Sequence, residues 1–340
     1  MVNLGRLVFG MSEREVLYSQ RGFEPDEAGV YRRLEGVGRA FLAGYHAALE
    51  ESSTALLTDR LESMEPERRG FTYEGAAMGL TIRDALAPWR ASRLHALLEG
   101  SGAAHAYLMY VGVGWAMARL PRVVHRAVPT LDPLLGWLVY DGWGFHQAYF
   151  APDETVRRGE RPRGLGPYAQ RAFDQGVGRC LWFVEAARVD RVAASVAALG
   201  DDRANDLWAG VGLAAAFAGG VDDASLERLR AASGDQAPAL AQGVAFAAKA
   251  RLLPETPTVG LERAARSLCG MSSAAASAVT DDVLDELLID ARFESDATLP
   301  SYETWRRQIQ AHFETATAAP LPHAPHDGTA SEVPLQRNTA

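Results

Sequence analysis

The chain has 340 residues, 48% hydrophobic and 23% charged, an ordinary soluble composition with enough apolar material for a large core. A net charge of −9 and a pI near 5.5 supply no pull towards nucleic acid or an anionic membrane. Two cysteines, Cys180 and Cys269, are too few for a disulfide framework and fit a reduced, cytoplasmic setting.

The first residues, MVNLGRLVFGMSEREV, hold only a short apolar run and make a poor secretory signal. A repeat follows. Its copies are GVGRAFL at Gly36, GAAMGLT at Gly75, GVGWAMA at Gly112, GWGFHQA at Gly142, GVGRCLW at Gly176, GVGLAAA at Gly210 and GVAFAAK at Gly243. Their spacings are 39, 37, 30, 34, 34 and 33 residues. Small residues at the first glycine and four positions later stack on one helix face, and such stripes let a second backbone approach closely. Glycine inside a helix costs about 1 kcal/mol against alanine, so seven such helices predict a closely packed array.

The intervening segments also carry helical periods. Val189, Val192, Ala193, Val196 and Leu199 follow an i, i+3, i+4 pattern. Leu226 and Leu229 lie in a segment that Asp222 or Asp223 can cap and Gly234 can end. The prediction is an all-α fold of about seven stacked helical hairpins, either an α-solenoid or an α/α toroid, with one Gly-x-Gly packing helix per repeat. No strand precedes Gly176 and its sixth position is Leu181, so a dinucleotide-binding loop does not fit.

Three further segments stand out. The apolar run Leu207 to Val221 is 15 residues long, short of the ~20 needed for a bilayer, and predicts a buried helix rather than a membrane span. Residues 281–296 read as an amphipathic helix with Val283, Leu284, Leu287 and Leu288 inward. From 315 to 340 the chain is rich in Ala, Pro and Thr without a period, so a single domain over 1–314 and a disordered tail are expected. His323 and His326 fall in that tail.

The residue before the first glycine is polar in five copies: Glu35, Glu74, Asp141, Gln175 and Gln242. These residues either cap helix starts or point from neighbouring hairpins into a shared cavity. VYDGWGFHQAYF, residues 139–150, breaks the small-residue rule with His146. Asp141 and His146 are the candidate catalytic pair, because a carboxylate near a histidine favours its charged form and suits proton transfer. A core histidine bonded to a carbonyl is the competing reading. Residues 151–170 read as a loop carrying Arg157, Arg158, Arg161 and Arg163, suited to an acidic group or to simple solvation. The binding set is Glu74, Trp143, Gln147, Tyr149, Asp174, Gln175, Arg179, Trp182 and Gln242, with Phe145 and Trp208 as further apolar walls. No metal or cofactor signature is present.

YEGAAMG, VGVGWAMARLP, DGWGFHQAYF, DQGVGRCLWF and WAGVGLAAAFAGG together resemble a domain-of-unknown-function family (domain of unknown function 1702) encoded beside enediyne polyketide synthases in actinobacteria. The resemblance spans about residues 5–312. It implies a cytoplasmic protein of enediyne antibiotic biosynthesis and a hydrophobic, polyene-like polyketide as ligand. A polyketide synthase or tailoring enzyme is the implied protein partner. The resemblance transfers no catalytic residue, and whether the chain is an enzyme, a scaffold or a self-resistance protein stays open, as does a homo-oligomer.

Overall fold

Helix boundaries follow local signals. Pro66 and Pro167 open their helices at the position where a missing N–H costs nothing. Asp222 accepts a 2.9 Å hydrogen bond from the Ser225 N–H and starts the helix Asp223–Ser233, which Gly234 ends at φ 50°. A cap of this kind contributes about 1 kcal/mol. The computed structural model describes residues 4–122, 131–289 and 299–318, and all regular structure among them is helical.

The glycine-bearing segments form seven helices: α1 (Val30–Glu50), α2 (Pro66–Leu86), α3 (Ala106–Arg119), α4 (Leu138–Phe150), α5 (Pro167–Val184), α6 (Asp201–Phe217) and α7 (Ala237–Leu252). Two more close the described chain, α8 (Ser273–Ile289) and α9 (Ser301–Ala318). Each of α1 to α7 packs chiefly on its predecessor and successor. Neighbours run parallel. Arg33 pairs with Glu67 near the starts of α1 and α2, and Arg83 donates to the Ala48 and Glu51 carbonyls near their ends.

Two residues turn a helix by about 200°, so the two glycines of Gly-x-Gly face opposite neighbours. A Cβ on Gly176 would lie 1.8 Å from the Asp141 carbonyl oxygen of α4. One on Gly178 would lie 2.1 Å from the Leu207 carbonyl oxygen of α6. Gly210 meets Gln175 and Gly212 meets Leu240 in the same way. These closest approaches run through the i, i+2 pair, not through the expected i, i+4 stripe. α1 is out of step: Gly75 meets the Phe41 carbonyl and Gly44 meets that of Thr72. Its packing unit is Leu42-Ala43-Gly44, 33 residues before Gly75, whereas Gly36 faces Arg68 and Gly38 faces Val16.

The row bends back on itself. The Arg33 Nε donates to the Ala218 carbonyl at 2.7 Å, and Arg251 of α7 donates to the Glu67 carbonyl at 2.6 Å. Phe71 of α2 meets Phe217 of α6 edge-on at 5.0 Å. The Tyr18 hydroxyl, on the segment before α1, donates to the Phe183 carbonyl. The helix Val189–Leu199 buries Val189, Val192, Val196 and Leu199, as its period predicts.

Residues 151–170 begin with a π-turn over Asp153–Arg157. Arg157 pairs with Asp153, Arg158 with Glu154 and Glu160, and Arg161 with Asp174. The chain's own carboxylates thus occupy three of the arginines offered above for an acidic group, and Arg163 is exposed. Val283 and Leu287 of α8 are buried, while the Leu288 side chain and residues 290–296 lie outside the described residues. α9 continues to Ala318, beyond the expected boundary at 314, and the expected tail past it lies outside the described residues. No helix among those described is long and apolar enough to cross a membrane.

Candidate functional site

Counted from the first glycine of each helix, positions −1, +3 and +7 share one face, and from α3 onward the bend turns that face inward. Position +3 supplies Trp115, Phe145, Arg179, Leu213 and Phe246; position +7 supplies Tyr149, Phe183, Phe217 and Ala250. All nine line one or both of two cavities. The larger, about 60 Å³, is completed by Leu34, Phe41, Phe71 and Glu74. The smaller, about 40 Å³, shares Phe71, Arg179, Leu213 and Phe217 with it and reaches Asp141. The walls are largely aromatic: Trp115 lies 4.2 Å from Phe41 and 5.4 Å from Phe145, centroid to centroid.

The polar groups of this interior are few. Arg179 Nε lies 2.8 Å from Asp141 Oδ1, and its guanidinium sits 5.1 Å over the Phe145 ring. Arg179 Nη2 is buried without a hydrogen-bond partner. Gln175 donates to Asp141 at 2.7 Å and to the Tyr302 hydroxyl of α9 at 3.2 Å. Glu74 accepts one hydrogen bond from Trp115 Nε1 at 3.1 Å. Burial pushes the Glu74 carboxyl up to about 7, opposed by Arg179 and assisted by Asp141. Burial pushes Asp141 upward too, against the pull of Arg179. Two carboxyls share one cation, so one of them holds its proton towards neutral pH, and Glu74, which is not ion-paired with Arg179, is the better placed to do so.

The predicted residues divide. Glu74, Tyr149 and Arg179 line the larger cavity, Asp141 and Arg179 the smaller, and Gln175 supports Asp141 from behind. Glu74, Gln175 and Gln242 lie well inside their helices, so the capping reading fails for them. Glu35, displaced by the register of α1, instead accepts a hydrogen bond from the Tyr18 N–H at 3.0 Å. His146 lines neither cavity. It packs on Trp115 and Phe150, and its Nδ1 lies 3.3 Å from the Gln147 amide oxygen. Burial, then Arg119, lowers it to about 4. Asp141 therefore does not hold His146 charged; its partners are Arg179 and Gln175.

Trp143 packs on Phe173, Trp208 is buried away from both cavities, and Trp182 donates to the Gly219 carbonyl at 3.1 Å. Gln242 meets Arg306 and Gln310 of α9. Asp174 belongs to a second buried cluster. It binds Arg161 and, at 2.6 Å, Arg203, which also holds the Gly159 carbonyl. Asp206 there is held by Arg171 at 2.9 Å and Arg306 at 2.7 Å. Glu303 is held by Arg171, Arg306 and Arg307.

Sequence reading missed Phe41, Phe71, Trp115 and Phe217 as walls. The signal was the +3 column, which from Gly75 onward is apolar except for Arg179.

A parallel, glycine-packed helical row around an apolar interior with a buried acid–arginine cluster defines an all-helical protein with internal cavities. The chain belongs to the family described as protein of unknown function (DUF1702), whose family model matches residues 1–313. No curated protein and no solved structure matches it.

Proposed function

We propose that the chain binds an elongated, conjugated, apolar molecule between its small-residue helices, a polyene-like polyketide intermediate of enediyne biosynthesis, and holds or processes it there. The observation that carries this reading is the apolar cavity walled by Phe41, Phe71, Trp115, Phe145, Phe150 and Phe217. Flat aromatic walls suit a flat ligand, and an enclosed apolar cavity is the usual form of a small-molecule site. The pathway rests on the family resemblance.

In this reading the seven units curl far enough to act as an α/α toroid rather than an open solenoid, and α9 braces the N-terminal ends of α5 to α7. Asp141 anchors the polar end through Arg179. Glu74 is better placed than His146 for proton transfer, since it lines the cavity and titrates near neutral pH. A cytoplasmic location accords with two free cysteines, Cys180 being buried. A second reading, non-catalytic sequestration for self-resistance, is favoured by the place of His146 behind the wall residues Trp115 and Phe150 rather than in the cavity lining.

The test is native mass spectrometry of protein purified from a producing strain, with ultraviolet spectra of the extracted ligand. A conjugated apolar molecule is expected. Ligand-free protein that also ignores polyene probes would overturn the reading. Product formation lost in Glu74→Gln and retained in His146→Ala separates processing by Glu74 from sequestration.

A further inference from the structure

Resting on the binding reading above, the charge balance of the cavity narrows the ligand. Charged groups reach the Glu74 carboxyl from α4, as Asp141, and from α5, as Arg179. α1 presents Phe41 there and α3 presents Trp115. Arg179 and Asp141 cancel, and Glu74 is neutral below about pH 7. A carboxylate brought into this interior would be an uncompensated buried anion, which costs several kcal/mol. An all-hydrocarbon ligand would leave Arg179 Nη2, a buried donor, unpaired, at the full cost of its lost hydration.

We propose that the ligand presents a neutral carbonyl oxygen, as in a ketone, ester or thioester, to Arg179 Nη2 and the protonated Glu74. Trp115 already occupies Glu74 Oε1, which leaves Oε2 to carry the proton. Two donors on one oxygen draw electrons from the carbonyl carbon, as in an oxyanion hole. Below about pH 7 both donors are present. Above it Glu74 ionises, repels the oxygen and withdraws its hydrogen bond.

The experiment titrates wild-type protein with three fluorescent eighteen-carbon tetraenes: parinaric acid methyl ester, parinaric acid and the matching hydrocarbon. The ester is expected to bind at least about tenfold tighter than either alternative at pH 6, and to weaken by about tenfold or more at pH 8.5. Glu74→Gln keeps a neutral donor, so it should bind the ester within about threefold of wild type and without the pH dependence. The ester carbonyl stretch should move to lower frequency on binding. Acid binding as tightly as ester, hydrocarbon binding as tightly as ester, or an unchanged pH profile in Glu74→Gln would each overturn the carbonyl assignment. Failure of all three probes would overturn the binding reading itself.

Discussion

Two buried charge clusters lie a few residues apart on α5, and they are built to opposite rules. Around Asp174, Asp206 and Glu303, three carboxylates meet Arg161, Arg171, Arg203, Arg306 and Arg307. Around Glu74 and Asp141, two carboxyls meet one nearby arginine among the described residues, Arg179, with Arg306 acting on Asp141 from farther off. The first cluster is over-supplied with cations and cross-links α5, α6 and α9. The second is under-supplied and borders the cavities. Both keep buried donors without a partner, Arg203 Nε and Arg306 Nη2 in the first and Arg179 Nη2 in the second, but Arg179 lines the cavities, where a ligand can reach it. Gln175 links Asp141 to the Tyr302 hydroxyl of α9, one residue before Glu303.

The largest effect should come from breaking the cation-rich cluster. Arg306→Leu leaves Asp206 and Glu303 short of a fully buried partner, and should cost about 3–5 kcal/mol of stability in urea denaturation. A loss below about 1 kcal/mol would show that Arg171 alone suffices.

The cavity-side cluster should reveal itself through pH. The Glu74 carboxyl is raised from 4.5 to about 7 on folding, so the folded state holds its proton more tightly. Its contribution is complete below about pH 4.5 and is lost as pH rises through 7. Wild type should lose about 3 kcal/mol relative to Glu74→Gln across that window. Parallel stability profiles for the two proteins would refute the assignment.

His146 should behave oppositely. Its ring is lowered from 6.5 to about 4 by burial, so stability is present above 6.5 and falls as pH drops towards 4. The loss at pH 4 should approach, and not exceed, about 3 kcal/mol, and His146→Gln should remove it. The smallest effect is expected at the exposed arginines. Replacing Arg157 and Arg158 with Ala should leave the melting temperature and probe binding unchanged, because neither belongs to either cluster.

The helical repeat was legible because glycine pairs inside apolar helices are rare and recur at a near-constant period. What misled was one-dimensional alignment of α1, where Gly36-Val37-Gly38 imitates a unit that Leu42-Ala43-Gly44 performs. Only the neighbouring backbone discriminates them. In the site, Glu74, Asp141, Gln175 and Arg179 stood out as polar letters in apolar runs. The failure of His146 to meet Asp141 was not legible, since five residues separate the two by about 140° around the helix, and the tilt of α4 decides which side faces the cavity. Trp115 and Phe217 were hidden for a plainer reason: aromatic residues in a core helix carry no mark of which cavity they line.

The glycine contacts have an evolutionary consequence. Helix spacing is set where backbone meets backbone, at Gly142, Gly176 and Gly210, and these positions do not look into the cavity. The lining comes from other columns of the same helices. Spacing and lining can therefore drift independently, like the staves of a barrel and the coating inside it. Exchanging Phe145 or Leu213 would recut the chamber for a different guest while leaving the staves untouched, whereas a single methyl at Gly176 would spring them apart.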